Sequence, residues 1–367
     1  MKKLLFLFFI FSFCFSQEEY VKNDHVLIDS YVKDDNYIVD YIFKDHKGVI
    51  HDFQMSLKKN KTDLMVEKFG IPNSLLKKSK KLDPEILHER NKIIEDKMFI
   101  AQDGFPQSLN KKVLVSYYRE TVHQIADYII DYLDKNGDDN RLNRIEMAMK
   151  FVQDIPYGIP KENKSLFKLG YITPPEVLIN GYGDCDSKTI LFVCIMSYLV
   201  NEKDIVFVST PGHIFSAIKD YNYNNNISQD YIPYTQRKID HNIDGTSLEY
   251  KGETYFVCET AGPGRSNYGQ AYQYQPMQLN DKEDSFFTAL NKIFQYSETP
   301  SIYRPTSKIK HFTVETFDLS ELLVFPGDCY HTTSMKYVKK DKRRAFDYHS
   351  CFMFNPPSTY DSTMPSH

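Results

Sequence analysis

The sequence predicts an α+β fold in which one buried helix packs on an antiparallel sheet, with extensions at both ends. Three observations carry this reading. Residues 185–200 are apolar around the whole helix circumference, through Ile190, Leu191, Phe192, Val193, Cys194, Ile195 and Met196, so this helix belongs inside. After it come "DIVFVST", "HIFSAI" and "SLEYKGETYFVCET", short apolar segments broken at Pro211-Gly212 and Lys251-Gly252, the pattern of strands joined by turns. Before it, Val113, Val115, Tyr118, Val122, Ile125, Ala126, Ile129 and Ile130 recur at helical spacing across 112–134.

The chain has 367 residues, room for about two domains at roughly 150 residues each. Its 41% apolar content can fill a core, which leans on 27 Tyr and 26 Phe in the absence of Trp. A formal charge of −4 points away from nucleic acid as a partner.

The opening "MKKLLFLFFIFSFCFSQEE" reads as an export signal. Lys2 and Lys3 supply the positive end, and the apolar run 4–15 is too short to span a bilayer. Cys14 and Ser16 are the small residues at −3 and −1, which places the cut before Gln17; bulky Phe13 argues against a lipoprotein cut at Cys14. Losing Lys2 and Lys3 takes the formal charge from −4 to −6. No later segment is apolar enough to cross a membrane. The mature chain is therefore expected outside the cytoplasm, periplasmic or extracellular.

Residues 20–56 alternate apolar and polar and predict a small β hairpin turning near His46-Lys47-Gly48. Residues 57–95 read as lysine-rich and irregular, with "KKSKK" at 77–81 as a solvated face. A second helix runs from Leu142 to Asp154. The linker "DKNGDDNRLNRIE" begins like a calcium loop, with Asp134, Asn136 and Asp138. It then offers Asp139 where glycine is needed and Ile145 where a bidentate glutamate is needed, so it reads as a helix–helix turn. Residues 172–184, around Pro174-Pro175, read as a loop. Strands are expected at 204–209, 213–218 and 254–260, with a polar insertion at 221–246. In the tail, "HFTVETFDLSELLVF" and "HSCFMF" read as strands. The domain division is 1–16 signal, 17–110 β-rich and irregular, 111–265 core, and 266–367 a partly β extension.

Six cysteines less Cys14 leave Cys185, Cys194, Cys258, Cys329 and Cys351, an odd set for an oxidising compartment. The lysine-rich stretch 336–344 reads as a hairpin turn that pairs Cys329 with Cys351. Such a bridge is worth about 3 kcal/mol in the chain-entropy model. The alternative is Cys194 with Cys258.

"GYGDCDSKTILF" at 181–192 carries the chemistry. It sets Cys185 in the first turn of the buried helix, where unpaired N–H groups favour a thiolate and can hold an oxyanion. Asp184 fits the N-cap, accepting from the N–H of Ser187 or Asp186. Its charge opposes the thiolate, so a cationic partner is needed. His213 opens the next strand but one and suits that role. Glu259 ends "TYFVCE" on the face of Tyr255 and Val257; antiparallel pairing with 213–218 brings it beside His213 to orient the imidazole. Cys194 and Cys258 read as inert packing.

This order of cysteine, histidine and acid resembles the transglutaminase-like superfamily, which shares its core with papain-like peptidases. The likeness covers about 142–264, through "YITPPEVLINGYGDCDSKTILF", "PGHIFSA" and "YFVCETAG", and is nearest to the secreted bacterial branch. The resemblance implies Cys185 as nucleophile and His213 as base. The family's acid is usually aspartate, so Glu259 departs from the pattern and Asp220 stays open. The resemblance also offers Gln153 of "FVQDIPYGI" as an oxyanion donor and, from some secreted relatives, calcium held by Asp184 and Asp186; otherwise no cofactor is expected. It implies attack on amide bonds of a protein or peptide substrate, with hydrolysis favoured over amine transfer because water is abundant. The competing reading is a binding or scaffold protein on the same core. A Cys/His metal site lacks any C-x-x-C or H-E-x-x-H run. Oligomeric state is left open.

Overall fold

The structure, a computed structural model, describes residues 22–76, 83–161, 163, 165–210, 213–219, 247–261, 264–269, 313–316, 334–338 and 343–347. In chain order it has β1 (Leu27–Lys33), β2 (Asn36–Lys44), β3 (Ile50–Lys58), α1 (Lys59–Lys68), β4 (Ile71–Pro72), α2 (Pro84–Asp96), β5 (Phe99–Gln102) and β6 (Phe105–Leu109). Then come α3 (Lys111–Tyr118), α4 (His123–Lys135), α5 (Arg141–Asp154), β7 (Leu166–Phe167), α6 (Pro174–Asn180) and α7 (Cys185–Leu199). The remainder is β8 (Ile205–Thr210), β9 (His213–Lys219), β10 (Ser247–Tyr250), β11 (Glu253–Cys258), β12 (Thr313–Thr316), β13 (Ser334–Val338) and β14 (Arg343–Asp347).

The fold is α+β with antiparallel sheets. Five strands form the main sheet in the order β10-β11-β9-β8-β12. α7 packs on β9, with α3, α4, α5 and α6 gathered around it. Every residue from Ser187 to Leu199 is buried, as the all-round apolar pattern demands. The outer strand β12 comes from the tail: Val314 pairs with Val208, and Lys111 at the start of α3 binds Glu315 at 2.5 Å.

Several local expectations change. The N-terminal hairpin turns at Asp45–Val49 as its alternation implies, but β1 adds a third strand beside β2. The lysine-rich stretch contains α1 and α2. Asp83 caps α2 by accepting from the Glu85 N–H, and Pro84 takes the first helical position, where its missing N–H does no harm. The helix expected over 112–134 is two, α3 and α4, joined by a 3₁₀ turn at Arg119–Val122. Thr121 turns its hydroxyl onto the Tyr118 carbonyl at 2.6 Å and competes with the helical ladder there. The stretch 134–146 holds the helix–helix turn expected, at 136–140 between α4 and α5: Asp138 binds Lys47, Arg144 binds Asp139 at 2.6 Å, and Asn140 caps α5. In the tail, β13 and β14 pair directly from Val338↔Arg343, so strands occupy most of the stretch read as a turn.

The signal segment, "KKSKK", the insertion 221–246, "HSCFMF", Asp220, and Cys329 with Cys351 lie outside the described residues. Cys185, Cys194 and Cys258 are free thiols, the last two buried. Among the described residues, no helix is long and apolar enough to cross a membrane.

Asp154, at the end of α5, binds the N-terminal sheet to the core. Its buried carboxylate accepts from His25 Nε2 at 2.6 Å, Arg265 Nη1 at 2.5 Å, the Lys44 N–H at 2.9 Å and Asn23 Nδ2 at 2.9 Å. Beside it, Tyr41 donates to the Phe151 carbonyl at 2.7 Å, and Tyr41, Phe43 and Phe53 pack their rings on Phe151.

Candidate active site

The approach to Cys185 is set by α6, where the sequence suggests a loop. Thr173 and Glu176 form a capping box, and Pro174 and Pro175 take the first two helical positions. Gly181 ends α6 at φ +73, a left-handed position, and a Cβ there would meet Ile28 Cγ2 at 3.0 Å. Gly181→Ala should therefore lower stability by about 1–2 kcal/mol, read as a shift of the urea midpoint at unchanged slope.

Beyond Gly181, the chain is pinned to the segment after α5: Gly183 donates to the Pro156 carbonyl at 3.1 Å and accepts from the Gly158 N–H at 3.2 Å. Gly183 is closely packed: a Cβ there would lie 3.2 Å from Lys188 Cγ and 3.3 Å from Ser187 Cβ and Val177 Cγ2, so neighbours would have to give slightly. Asp184 then caps α7. Its Oδ1 accepts from the Ser187 N–H at 3.0 Å and the Ser187 hydroxyl at 2.6 Å, and that hydroxyl accepts from the Ile172 N–H at 3.1 Å. Cys185 is the first residue of α7. The backbone N–H of Ile214, one residue beyond His213, acts on the Cys185 thiol to lower its pKa.

His213 opens β9, and β9 pairs antiparallel with β11 through Ser216↔Cys258 and Ala217↔Val257. β11 ends at Cys258, two residues short of the strand expected over 254–260, and Glu259 follows it. The pairing carries Glu259 Oε2 to 2.7 Å from His213 Nε2, and Glu259 Oε1 accepts from the Ala261 N–H at 2.9 Å. The buried carboxylate is fixed at both oxygens, one of them on the imidazole.

Gln153 lies buried on α5. Its Nε2 donates to the Glu259 carbonyl at 2.7 Å, the Ser266 carbonyl at 3.0 Å and Ser266 Oγ at 2.9 Å. Two carbonyl acceptors require the amide nitrogen on that side, so a flipped amide is chemically wrong. The structure thus engages Gln153 with the segment that carries the acid. In the sequence the Ser187 N–H was named as a partner for the cap, but the Ser187 hydroxyl, the Ile214 N–H and Ser266 were not singled out. Only Ser187 left a signal there, as a hydroxyl three residues after an aspartate cap.

The electrostatics differ from the simple helix-start picture. Burial pushes the Cys185 thiol up, Asp186 and Asp184 push it further, and the Ile214 N–H pulls it back only in part. The helix N-terminus alone does not yield a resting thiolate. Burial acts to lower His213, but the charge and hydrogen bond of Glu259, with Asp186 behind, outweigh it and raise the imidazole above its usual value. Burial also lifts Asp184 to about 6, against its bonds from Ser187. Asp186 is raised by burial, with Lys111 and His213 pulling it down. Ligand atoms of Asp184, Cys185 and Asp186 lie within 4.8 Å of one another. One oxygen of that set, Asp184 Oδ1, is already held by Ser187.

Comparisons with protein-family models, with curated proteins and with solved structures return no match. Fold and site together define an α+β protein with a thiol at a helix start and a histidine–carboxylate pair formed by the start of β9 and the residue after β11.

Proposed function

We propose that this chain is a secreted cysteine enzyme of transglutaminase-like type that attacks amide bonds in protein or peptide substrates and releases the product by hydrolysis. The observation that carries the reading is the 2.7 Å bond between His213 and Glu259, with His213 opening the strand on which the Cys185 helix packs.

In this reading the chemistry runs as acyl transfer. His213 gives Nε2–H to Glu259, so Nδ1 is the atom that takes the proton from the Cys185 thiol. The sulfur bonds to the substrate carbonyl carbon, and the carbonyl electrons move onto oxygen, where N–H groups at the start of α7 favour the charge. Collapse breaks the C–N bond, and the imidazolium protonates the departing amine. Water, deprotonated by His213, then cleaves the thioester and restores the thiol. Glu259 stabilises the imidazolium in both halves. The sequence resemblance adds to this reading, and residues 1–16, if they act as the export signal their pattern suggests, would put the substrate outside the cytoplasm.

A thiol-directed activity probe, with Cys185→Ala as control, tests the proposal. Labelling of the full chain that the variant loses is the expected result; equal labelling of both would turn the reading to a binding protein. One observation favours that second reading: the burial and acidic neighbours that keep the Cys185 proton on sulfur.

A further inference from the structure

A lysine inside a helix as apolar as α7 calls for a partner. Lys188 lies on α7 three residues after Cys185 and is fully buried. Its Nζ donates to the Ile155 carbonyl at 2.7 Å and the Gln153 carbonyl at 3.2 Å. Both belong to the end of α5, where helix carbonyls lack partners and a cation is favoured. Gln153 continues the path, because its amide donates to the Glu259 carbonyl at 2.7 Å. Glu259 then reaches Ala261 N–H and His213. A continuous set of hydrogen bonds therefore runs from the helix of the thiol, through the end of α5, to the acid and the imidazole.

We infer that Lys188 and Gln153 are positioning residues for the His213–Glu259 pair. Lys188 locks the end of α5 to the helix that bears Cys185. Gln153 passes that registration to the backbone of Glu259, so nucleophile and acid are held against one common element. The inference rests on the cysteine-enzyme reading for its purpose, but the geometry it asserts is independent of turnover. Burial lowers Lys188 to about 7, with Asp154 and Glu259 pulling it back up.

The test is the titration of His213, read by NMR on the full chain labelled at histidine Cε1 and assigned from the signal missing in His213→Gln. In Gln153→Leu, and in Lys188→Met, the midpoint of His213 should fall toward the ordinary value of about 6.5, because a loosened Glu259 stabilises the imidazolium less. In a Glu259→Gln background, adding Gln153→Leu should move the midpoint no further, since Gln153 acts through Glu259. Lys188→Arg should restore most of the shift. An unmoved midpoint in both single variants, or a fully additive double variant, overturns the inference and leaves a purely structural role. Gln153→Asn, which keeps a buried amide, substitutes if Gln153→Leu does not fold. The titration needs no substrate, whereas loss of probe labelling tests the enzyme reading, so the two fail separately.

Discussion

Glu259→Gln should reduce kcat/KM by about 10²–10⁴-fold while leaving the fold intact, the span typical for disabling an oriented general base. The substitution keeps the shape beside His213 and removes the charge. The expected pH behaviour follows from the signs. Burial holds the proton on the Cys185 thiol, so the competent state needs a neutral His213 to receive it. Activity, and alkylation of Cys185, should rise with pH through a His213 midpoint that Glu259 holds above the ordinary value, despite the opposing effect of burial. Without the Glu259 charge, that midpoint moves down, and the residual activity of the variant should rise at a lower pH. A pH–rate profile of the wild-type chain and Glu259→Gln decides this. An unchanged inflection with unchanged kcat/KM would transfer the orienting role to another acid.

The site was legible in the sequence wherever local pattern fixes geometry. An aspartate before a wholly apolar run marks the start of α7, and period-2 alternation with turns at Lys251-Gly252 marks β10 and β11. Because β9 and β11 are antiparallel neighbours, the pairing of a histidine at one strand start with an acid at the other strand end was within reach. α6 was missed because two prolines read as a loop, although Thr173-Pro174-Pro175-Glu176 is a capping box with proline where proline is tolerated. Long-range facts left no such mark. Lys111 and Glu315 are 204 residues apart, and no periodicity announces that β12 completes the main sheet. The thiol's protonation was legible only in part: Asp184 before Cys185 shows that the helix start alone does not suffice, but the burial does not show. A helix start is local, but the burial that governs Cys185 is set by elements brought together only in the fold. Lys188 did leave a signal, a cation in an apolar helix, whose meaning depends on where α5 ends.

The largest stability effect is expected at Asp154. Asp154→Ala should destabilise the chain by about 3–5 kcal/mol, the range for removing one partner of a buried ion pair. The Arg265 guanidinium and the His25 ring would lose their shared acceptor, and the Lys44 N–H and Asn23 amide would lose theirs. Arg265 also donates to the Lys44 and Asp45 carbonyls, so the N-terminal sheet loses much of its polar attachment at once. Asp154→Asn keeps the shape and one acceptor oxygen and should lose less. The pH dependence has a definite sign. Burial alone would raise the Asp154 carboxyl, but Arg265, the Lys44 N–H and His25 hold it below the usual range. A carboxylate depressed in the folded state contributes its stability above its unfolded value, about 3.9, and loses it as pH falls through the folded value. The gap between wild type and Asp154→Ala should therefore stay level from about pH 7 to pH 5 and narrow below about pH 4. Urea unfolding of both chains across that range measures it. A gap that stays constant down to pH 2, or a variant as stable as wild type at pH 7, would show that the apolar contacts of Tyr41, Phe43 and Phe53 with Phe151 hold the sheet without the charge.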